Sequence, residues 1–199
     1  MAARLILVRH GETEWSRSGQ HTGRSDIPLT ERGEEQARNL VPCLRDIPFS
    51  HVLTSPRQRA RRTCELAGLG AAAIVEPDLA EWDYGDYEGK RSADIRKGRP
   101  DWNIFCDGCP GGETTAQVSD RADRLIQRLA GFDGDIALIF HGQFGCVVAA
   151  RWIGMPVVEA QHFAFGPAAI SILDHSPNHP DVRVIAMWNA AAYAPAALE

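Results

Sequence analysis

The chain lacks long apolar runs, internal repeats, low-complexity segments and an excess of positive charge. No apolar run approaches the ~20 residues that a membrane-spanning helix requires, and the first residues lack the charged-then-apolar order of a secretory signal. The 21 lysine and arginine residues against 26 acidic residues give a formal charge of −5, whereas nucleic-acid binding requires a basic face. We therefore expect a cytoplasmic protein with no membrane and no nucleic-acid partner.

The cysteines lack the pairing that disulfides and metal sites require. There are five of them, an odd and scattered set, so we expect reduced thiols. Cys106 and Cys109 have C-x-x-C spacing, but no second cysteine or histidine pair accompanies them. We expect two free thiols in a loop rather than a metal site.

The composition that remains is that of an ordinary globular protein, 44% hydrophobic and 24% charged. The length of 199 residues predicts one domain over 1–199, with a loose tail at 194–199. Short apolar runs alternate with helical patterns, which predicts an α/β fold. The predicted strands are 5–8, 51–54, 73–75, 136–140, 169–174 and 182–188. The predicted helices are one from residue 30 that Pro42 kinks or shortens, 55–69, a short one near residue 93, a long one from residue 114 or 115, and 146–153.

The residues that follow the first predicted strand are suited to phosphate chemistry. Arg9, His10 and Gly11 come directly after the apolar run 5–8, where open α/β sheets bind ligands. Arginine offers planar donors to phosphate, and a neutral histidine is a nucleophile toward phosphorus. Gly11 allows the backbone to turn and to approach an anion closely.

Two further segments are predicted to bind anions. The loop His21-Thr22-Gly23-Arg24 has a glycine and backbone amides that can surround an anion. A strand-to-helix junction follows at residues 54–63, and its orphan amides and helix dipole favour negative charge. This junction contains four arginines, of which we expect two to face the ligand because residues three or four apart share a helix face. The four arginines are Arg57, Arg59, Arg61 and Arg62.

A candidate acid and a second histidine complete the set. Residues 81–89 hold four acidic and three aromatic side chains in a predicted loop, and a carboxyl group shielded by aromatics can hold a proton near neutral pH. His141 follows the predicted strand 136–140 as His10 follows the first. Two histidines at the ends of two strands of one parallel sheet are expected to converge on one site.

These motifs, in this order, resemble the histidine phosphatase superfamily, which includes the cofactor-dependent phosphoglycerate mutases. The resemblance covers residues 5–189 and implies a three-layer α/β/α sandwich, with a mostly parallel sheet and a short lid insertion at about 82–113. It implies a nucleophile at His10, a phosphoryl-transfer site that also contains Arg9, Arg59 and a protonated His141, and an acid at Glu81. It implies no metal and no cofactor. The motifs that carry it are Arg9-His10-Gly11-Glu12-Thr13, Ser55-x-x-x-Arg59-Ala60, Gly112-Glu113-Thr114 and Phe140-His141-Gly142.

Within the superfamily, segments 15–24 and 102–109 resemble the branch that contains fungal sedoheptulose-1,7-bisphosphatase, which implies sugar phosphates or bisphosphates as substrates. Ser16 stands where mutases usually carry asparagine. Cys146 stands where an arginine often follows the second His-Gly, which weakens the expectation of a second anionic group on the substrate. The residues expected to bind substrate are Ser16, Gln20, Thr22, Gly23, Tyr84 and Gln143.

The sequence leaves alternatives to a small-metabolite phosphatase open. A mutase needs a large basic lid that keeps water out, and segment 90–111 is basic but short. A phosphatase that acts on proteins would have an open cleft. A silent phosphate-binding protein would be expected to have lost one of the catalytic residues. Three further apolar residues could belong to the core or to the surface of a homodimer, and we expect them in the core. They are Met155, Phe163 and Phe165.

Overall fold

The structure is a computed structural model that describes residues 3–191. Its described part contains a six-stranded sheet in the order β3-β2-β4-β1-β5-β6. Strands β1, β2, β3 and β4 are parallel, β5 is antiparallel to β1, and β6 is antiparallel to β5. The sheet is therefore mostly parallel, as predicted. The strands are β1 Arg4–Arg9, β2 Phe49–Thr54, β3 Ala73–Val75, β4 Asp135–Phe140, β5 Ala169–His175 and β6 Arg183–Ala191.

Helices cover both faces of this sheet. The α-helices of the described part are α1 Glu14–Ser18, α2 Glu31–Arg38, α3 Val41–Leu44, α4 Gln58–Leu66, α5 Ser92–Arg96, α6 Ile104–Asp107, α7 Thr115–Leu129 and α8 Gly142–Trp152. Short 3-10 helices lie at Gly70–Ala72, Pro77–Leu79, Gly85–Tyr87 and Val157–His162.

The alternation of side chains along β1 divides the core in two. Leu5 and Leu7 pack into a core with residues of α7 and α8, whereas Ile6 and Val8 pack into a second core with residues of α3 and α4. All four side chains are essentially fully buried. A strand that buries both of its faces in this way gives the three-layer α/β/α sandwich that the resemblance implied.

Several helix boundaries differ from the prediction, and α4 Gln58–Leu66 is shorter at both ends than the predicted 55–69. Helix α1 lies where a polar loop was predicted, because Thr13 and Ser16 form a reciprocal capping box that stabilises this single turn and a half. Pro42 does not kink one helix but stands in the first turn of a separate one, α3, where its missing N–H costs little. Helix α8 begins at Gly142 rather than at residue 146, so that its first turn reaches the end of β4.

Segment 82–113 is anchored to the core by aromatic side chains. Trp82, Trp102 and Phe105 are buried, and the indole N–H groups of the two tryptophans donate to the carbonyl oxygens of Glu113 and Gly108. The segment contains α5, as predicted, and α6, which was not. Its role as a lid, like the single domain over 1–199, stays a prediction.

The remaining sequence expectations concern surfaces and thiols. Phe165 is buried and Phe163 is half-buried against Trp188, which places both in or against the core, whereas Met155 is exposed. The homodimer stays a prediction. The tail at 194–199 lies outside the described residues. Within 3–191 none of the five cysteines forms a disulfide, no helix is long and apolar enough to cross a membrane, and no three His, Cys, Asp or Glu side chains are grouped to hold a metal ion.

Candidate active site

The parallel pairing of β1 with β4 brings the two histidines together. Arg9 lies opposite Phe140 in the pairing, and the His10 N–H donates to the Phe140 carbonyl at 2.9 Å. Strands β1 and β4 therefore end at the same level of the sheet. The imidazole rings of His10 and His141 meet edge to face, with centroids 5.2 Å apart. The predicted convergence of two strand ends is confirmed.

His10 is held in one tautomer. Its Nδ1 lies 2.7 Å from the carbonyl oxygen of Gly11, and because a carbonyl only accepts, Nδ1 carries the proton and Nε2 keeps its lone pair. Burial, together with the charges of Arg59 and Arg9, lowers the pKa of His10 well below its usual 6.5. The ring is therefore neutral at physiological pH, which is the state of a nucleophile.

Gly11 is required by a close approach of two backbone segments. A Cβ atom at this position would lie 2.2 Å from the carbonyl oxygen of Gly33 in α2. The Gly11 N–H donates to Thr63 Oγ1 at 3.1 Å, and the same hydroxyl donates to the Arg59 carbonyl at 2.7 Å. Helices α2 and α4 thus fix the turn that carries His10.

Arg9 brings a positive charge to the same point. One terminal nitrogen donates to the carbonyl oxygen of Phe165, whereas the buried Nε has no hydrogen-bond partner among the described residues. Burial lowers the pKa of Arg9, and the nearby Glu81 charge opposes that shift. Gly142 leaves room for the guanidinium, since a Cβ there would lie 3.1 Å from it. Arg9 therefore offers an unused donor beside the nucleophile.

Arg59 is fully buried and is fixed by its own hydrogen bonds. Its terminal nitrogens donate to the carbonyl oxygens of Ser25 at 2.9 Å and Thr22 at 2.8 Å. Its Nε donates to His141 Nδ1 at 3.3 Å. The side chain does not line the cavity at the ends of β1 and β4. Its charge nevertheless lies close enough to lower the pKa of both His10 and His141.

The expectation that His141 is protonated is wrong for this structure. Because arginine only donates, the bond from Arg59 requires an unprotonated Nδ1 on His141, and Nε2 then donates to Ser55 Oγ at 2.7 Å. Complete burial and the neighbouring cations lower the pKa of His141 well below 6.5. Sequence reasoning noted Ser55 only as part of a motif and missed it as the partner of this ring.

Two of the four arginines at the start of α4 lie near His141, but they are two positions apart rather than the predicted three or four, and none of the four lines the cavity at the ends of β1 and β4. Arg57 precedes the helix as its N-cap, and its charge, like that of Arg59, lowers the pKa of His141. Arg61 and Arg62 are exposed, and Arg62 pairs with Glu34 at 2.9 Å. The spacing of three or four residues that places side chains on one helix face does not apply to Arg57, because that residue is extended rather than helical.

Glu81 is oriented by the first turn of α8. Its carboxyl oxygens accept the backbone N–H groups of Gln143 at 3.1 Å and Phe144 at 2.8 Å, and the N–H of Trp82 at 2.9 Å. The helix N-terminus has unpaired amides that suit a carboxylate. The early start of α8 therefore has a function, since it holds the candidate acid on the same strand end as His141.

A buried ion pair holds the segment that carries Glu81. Arg121 on α7 donates to both carboxyl oxygens of Glu113, at 2.8 and 2.7 Å, and to the carbonyl oxygens of Asp78 and Ala80, at 2.9 and 2.7 Å. Glu113 in turn accepts the N–H of Asp83 at 2.9 Å. The backbone is thus fixed on both sides of Glu81. The sequence showed Glu113 as part of a motif and gave no signal for its partner.

The loop at 22–25 does surround an anion, but the anion belongs to the protein. The carboxylate of Glu88 accepts the backbone N–H groups of Gly23 at 2.9 Å, Arg24 at 3.4 Å and Ser25 at 3.0 Å. A Cβ on Gly23 would lie 2.4 Å from the Trp82 carbonyl oxygen, so glycine is needed where the two segments meet. The Gly23 amide, expected to bind substrate, is therefore occupied.

A cavity of about 530 Å³ opens at the ends of β1 and β4, a size typical of small-molecule sites. Three residues expected at the site, Gly23, Arg59 and His141, do not line it. The expected residues that line it are Arg9, His10, Ser16, Gln20, Thr22, Glu81, Tyr84 and Gln143. His21, Ser92 and Asn189 also line it and were not expected to do so. The roles of all these residues toward substrate stay predictions.

The family follows from comparison with known proteins. Residues 5–187 match the sequence model of the histidine phosphatase superfamily (branch 1). The chain is 41% identical over 173 residues to an acid phosphatase of Mycobacterium tuberculosis, covering 85% of each chain, and 39% identical over 190 residues to sedoheptulose 1,7-bisphosphatase of Saccharomyces cerevisiae, covering 79% of this chain and 70% of that protein. The solved structure of a Mycobacterium tuberculosis open-reading-frame product superposes with a TM-score of 0.88 at 38% identity, over 96% of this chain and 99% of that one. The resemblance seen in the motifs is confirmed, and the chain belongs to branch 1 of the histidine phosphatase superfamily as a phosphoric monoester hydrolase.

Proposed function

We propose that the protein hydrolyses phosphate monoesters of small metabolites through a phosphohistidine on His10, without a metal ion. The observation that carries this proposal is the geometry of His10, whose Nδ1 is bound to the Gly11 carbonyl while Nε2 is left with its lone pair at the cavity. An imidazole in this tautomer can attack phosphorus and place the resulting positive charge on a ring whose N–H already has an acceptor.

In the first step, His10 Nε2 attacks phosphorus in line, and the bond from phosphorus to the ester oxygen breaks. The guanidinium of Arg9, which lines the cavity, donates to a phosphoryl oxygen, and the charge of the buried Arg59 stabilises the transferring group. Glu81 lines the same cavity and protonates the departing oxygen. The two arginines provide the positive charge that metal ions supply in other phosphoryl-transfer sites.

In the second step, water attacks the phosphohistidine. Glu81, now without its proton, takes one from the water, and the phosphorus–nitrogen bond breaks to return neutral His10 and inorganic phosphate. The three backbone N–H groups that hold Glu81 keep the carboxyl group in place for both proton transfers.

Hydrolysis is better supported than the mutase alternative. A mutase must hold a second phosphorylated ligand, and the basic residues of segment 90–111 were its candidate binding groups. These side chains contact residues within 87–107 instead, and none of them lines the cavity. The basic side chains and their contacts are Lys90 over the Tyr87 ring, Arg91 and Lys97 on Asp94, Arg96 on the Trp102 carbonyl and Arg99 on Asp107.

The test is phosphate release from a panel of phosphorylated metabolites and p-nitrophenyl phosphate in the presence of a chelator. Wild type is compared with His10→Ala and with His179→Ala, which removes an exposed histidine from the turn between β5 and β6. We expect release by wild type and His179→Ala only, and an acid-labile, base-stable phosphoenzyme in wild type during turnover. Release that persists in His10→Ala would refute the phosphohistidine route. Transfer of phosphate between phosphoglycerates without net release would identify a mutase.

A further inference from the structure

The cavity beyond the phosphoryl-transfer groups carries no charge. Apart from Arg9, His10 and Glu81, its lining consists of polar uncharged, small and aromatic residues. Arg9 is its one arginine, and no lysine lines it among the described residues. A phosphate bound at His10 is therefore paired with Arg9, the one arginine among the described residues that line the cavity.

Several basic residues near the cavity, none of which lines it, are engaged by their own neighbours. Arg24 pairs with Asp83 at 2.5 Å, and Arg96, whose charge acts on His21, donates to the Trp102 carbonyl at 2.9 Å. The other basic side chains contact Tyr87, Asp94 or Asp107. They are Lys90, Arg91, Lys97 and Arg99. A second anion bound away from His10 would therefore find no lysine and no arginine other than Arg9 among the described residues that line the cavity.

His21 lines the cavity as a neutral ring. It stacks on Tyr84 with ring centroids 4.6 Å apart, and its Nε2 lies 3.1 Å from Ser92 Oγ. Burial lowers the pKa of His21 from 6.5 to about 4, so this imidazole carries no charge at neutral pH. It offers a hydrogen-bonding edge and an aromatic face rather than a cation.

The uncharged lining has an apolar part and a polar part. Cys146, Phe163 and Phe165 form the apolar part, backed by Trp188, whose ring lies about 5 Å from both phenylalanines. Ser92 and Asn189 belong to the polar part. Asn189 adopts a left-handed conformation at φ 56°, and its Oδ1 accepts the Gly166 N–H at 2.7 Å, which fixes the amide at the wall.

We propose that this site selects phosphate monoesters with an uncharged, hydroxylated leaving group, and that it discriminates against substrates with a second phosphate or a carboxylate. The inference rests on the proposed function. A polyol suits the lining because its C–H faces can pack on the aromatic part while its hydroxyls bond to the polar part. A second anion would lose its hydration without gaining a paired charge. This site thus departs from the bisphosphate that the name of the yeast relative gives as that protein's substrate.

The first test compares two matched substrates, glycerol 3-phosphate and 3-phosphoglycerate, which differ in a hydroxymethyl group against a carboxylate. We expect kcat/KM to be ~10- to 100-fold higher for glycerol 3-phosphate, the factor that an unpaired buried charge costs. We likewise expect a higher kcat/KM for fructose 6-phosphate than for fructose 1,6-bisphosphate. p-Nitrophenyl phosphate reports phosphatase activity independently. Equal kcat/KM within each pair would overturn the inference and leave the proposed function standing, whereas no release from any substrate would overturn the proposed function itself.

The second test supplies the missing charge. Cys146 lines the cavity, and its thiol donates to the Phe163 carbonyl at 3.4 Å. Cys146→Lys places an ammonium group there, and Cys146→Met is the neutral control of similar length. We expect the Lys variant, but not the Met variant, to reduce the preference for glycerol 3-phosphate by ~10-fold. If the Lys variant melts like the Met variant and keeps the same preference, the electrostatic explanation is wrong. The comparison of the two wild-type substrates does not depend on either variant folding.

Discussion

Replacing Arg121 is expected to impair Glu81 without altering the cavity lining. Arg121→Met removes the two hydrogen bonds to Glu113 and the two to carbonyl oxygens that precede Glu81 in the chain. Methionine still fills the space against Phe144, over which the guanidinium carbon lies 3.8 Å from the ring centroid. The substitution therefore removes the hydrogen bonds that hold the backbone around Glu81 and largely keeps the packing against Phe144.

The cost to stability follows from the burial of this ion pair. The side chains of Arg121 and Glu113 are 10% and 20% exposed. Removing one member of such a pair leaves an uncompensated charge and costs ~3–5 kcal/mol. Domains are typically stable by ~5–15 kcal/mol, so we expect a folded variant with a lower free energy of unfolding in urea. Arg121→Met with Glu113→Gln should recover part of the loss, because the stranded charge is then removed. Arg124→Met, an exposed arginine on the same helix, is the matched control.

The kinetic assay separates a positioning role from a general loss of stability. General acid–base catalysis is worth ~10²–10⁴ in rate, and a displaced Glu81 loses part of it. We expect kcat for glycerol 3-phosphate to fall by ~10-fold or more with KM little changed, since the alkoxide needs a proton to leave. kcat for p-nitrophenyl phosphate should fall much less, because nitrophenolate leaves without one. If kcat falls by the same factor for both substrates, Arg121 does not act through Glu81.

Three further substitutions test other contacts. His21→Gln should gain ~2–3 kcal/mol in unfolding free energy relative to wild type between pH 7.5 and pH 4.5, measured in urea. A folded-state pKa of about 4 against 6.5 makes wild type lose stability as pH falls through that range, and an unchanged difference would mean that His21 titrates normally. Ser55→Ala should cost ~1–3 kcal/mol by the same assay, because it leaves the buried Nε2 of His141 unpaired, and no loss would show that the bond is absent. Gly11→Ala should cost ~1–3 kcal/mol and most of the activity, because the added methyl meets the Gly33 carbonyl; a wild-type melt would contradict that close approach.

The residues at strand ends could be predicted from the sequence because their placement needs little tertiary information. Arg9 and His10 follow one apolar run and His141 follows another, and parallel pairing of such runs places their ends together. Glu81 was also identified, although its local pattern of acids and aromatics gave no reason for its orientation. That orientation depends on the first turn of α8, which begins earlier than its apolar residues indicated.

Contacts between distant segments could not be predicted. Nothing in the sequence pairs Glu88 with the amides at 23–25, or Arg121 with the backbone before Glu81, because each contact joins residues more than 40 positions apart. The charge of His141 was mispredicted for the same reason. A pattern shows that a histidine and an arginine are present, but only the structure shows that the guanidinium donates to the ring and so requires it to be neutral.

The loop at 22–25 explains how the fully buried Arg59 is held beside the nucleophile although no carboxylate in the described part of the chain pairs with it. Its peptide carbonyls accept from Arg59 and its amides donate to Glu88, so the loop lies between a cation on one side and an anion on the other. Peptide groups aligned between two charges strengthen one another's hydrogen bonds. Because no carboxylate of residues 3–191 forms an ion pair with Arg59, the charge of Arg59 acts on His10 and lowers the pKa of that ring. This charge is in place before substrate binds. The segment that was expected to bind the substrate's phosphate instead fixes the charge that acts on it.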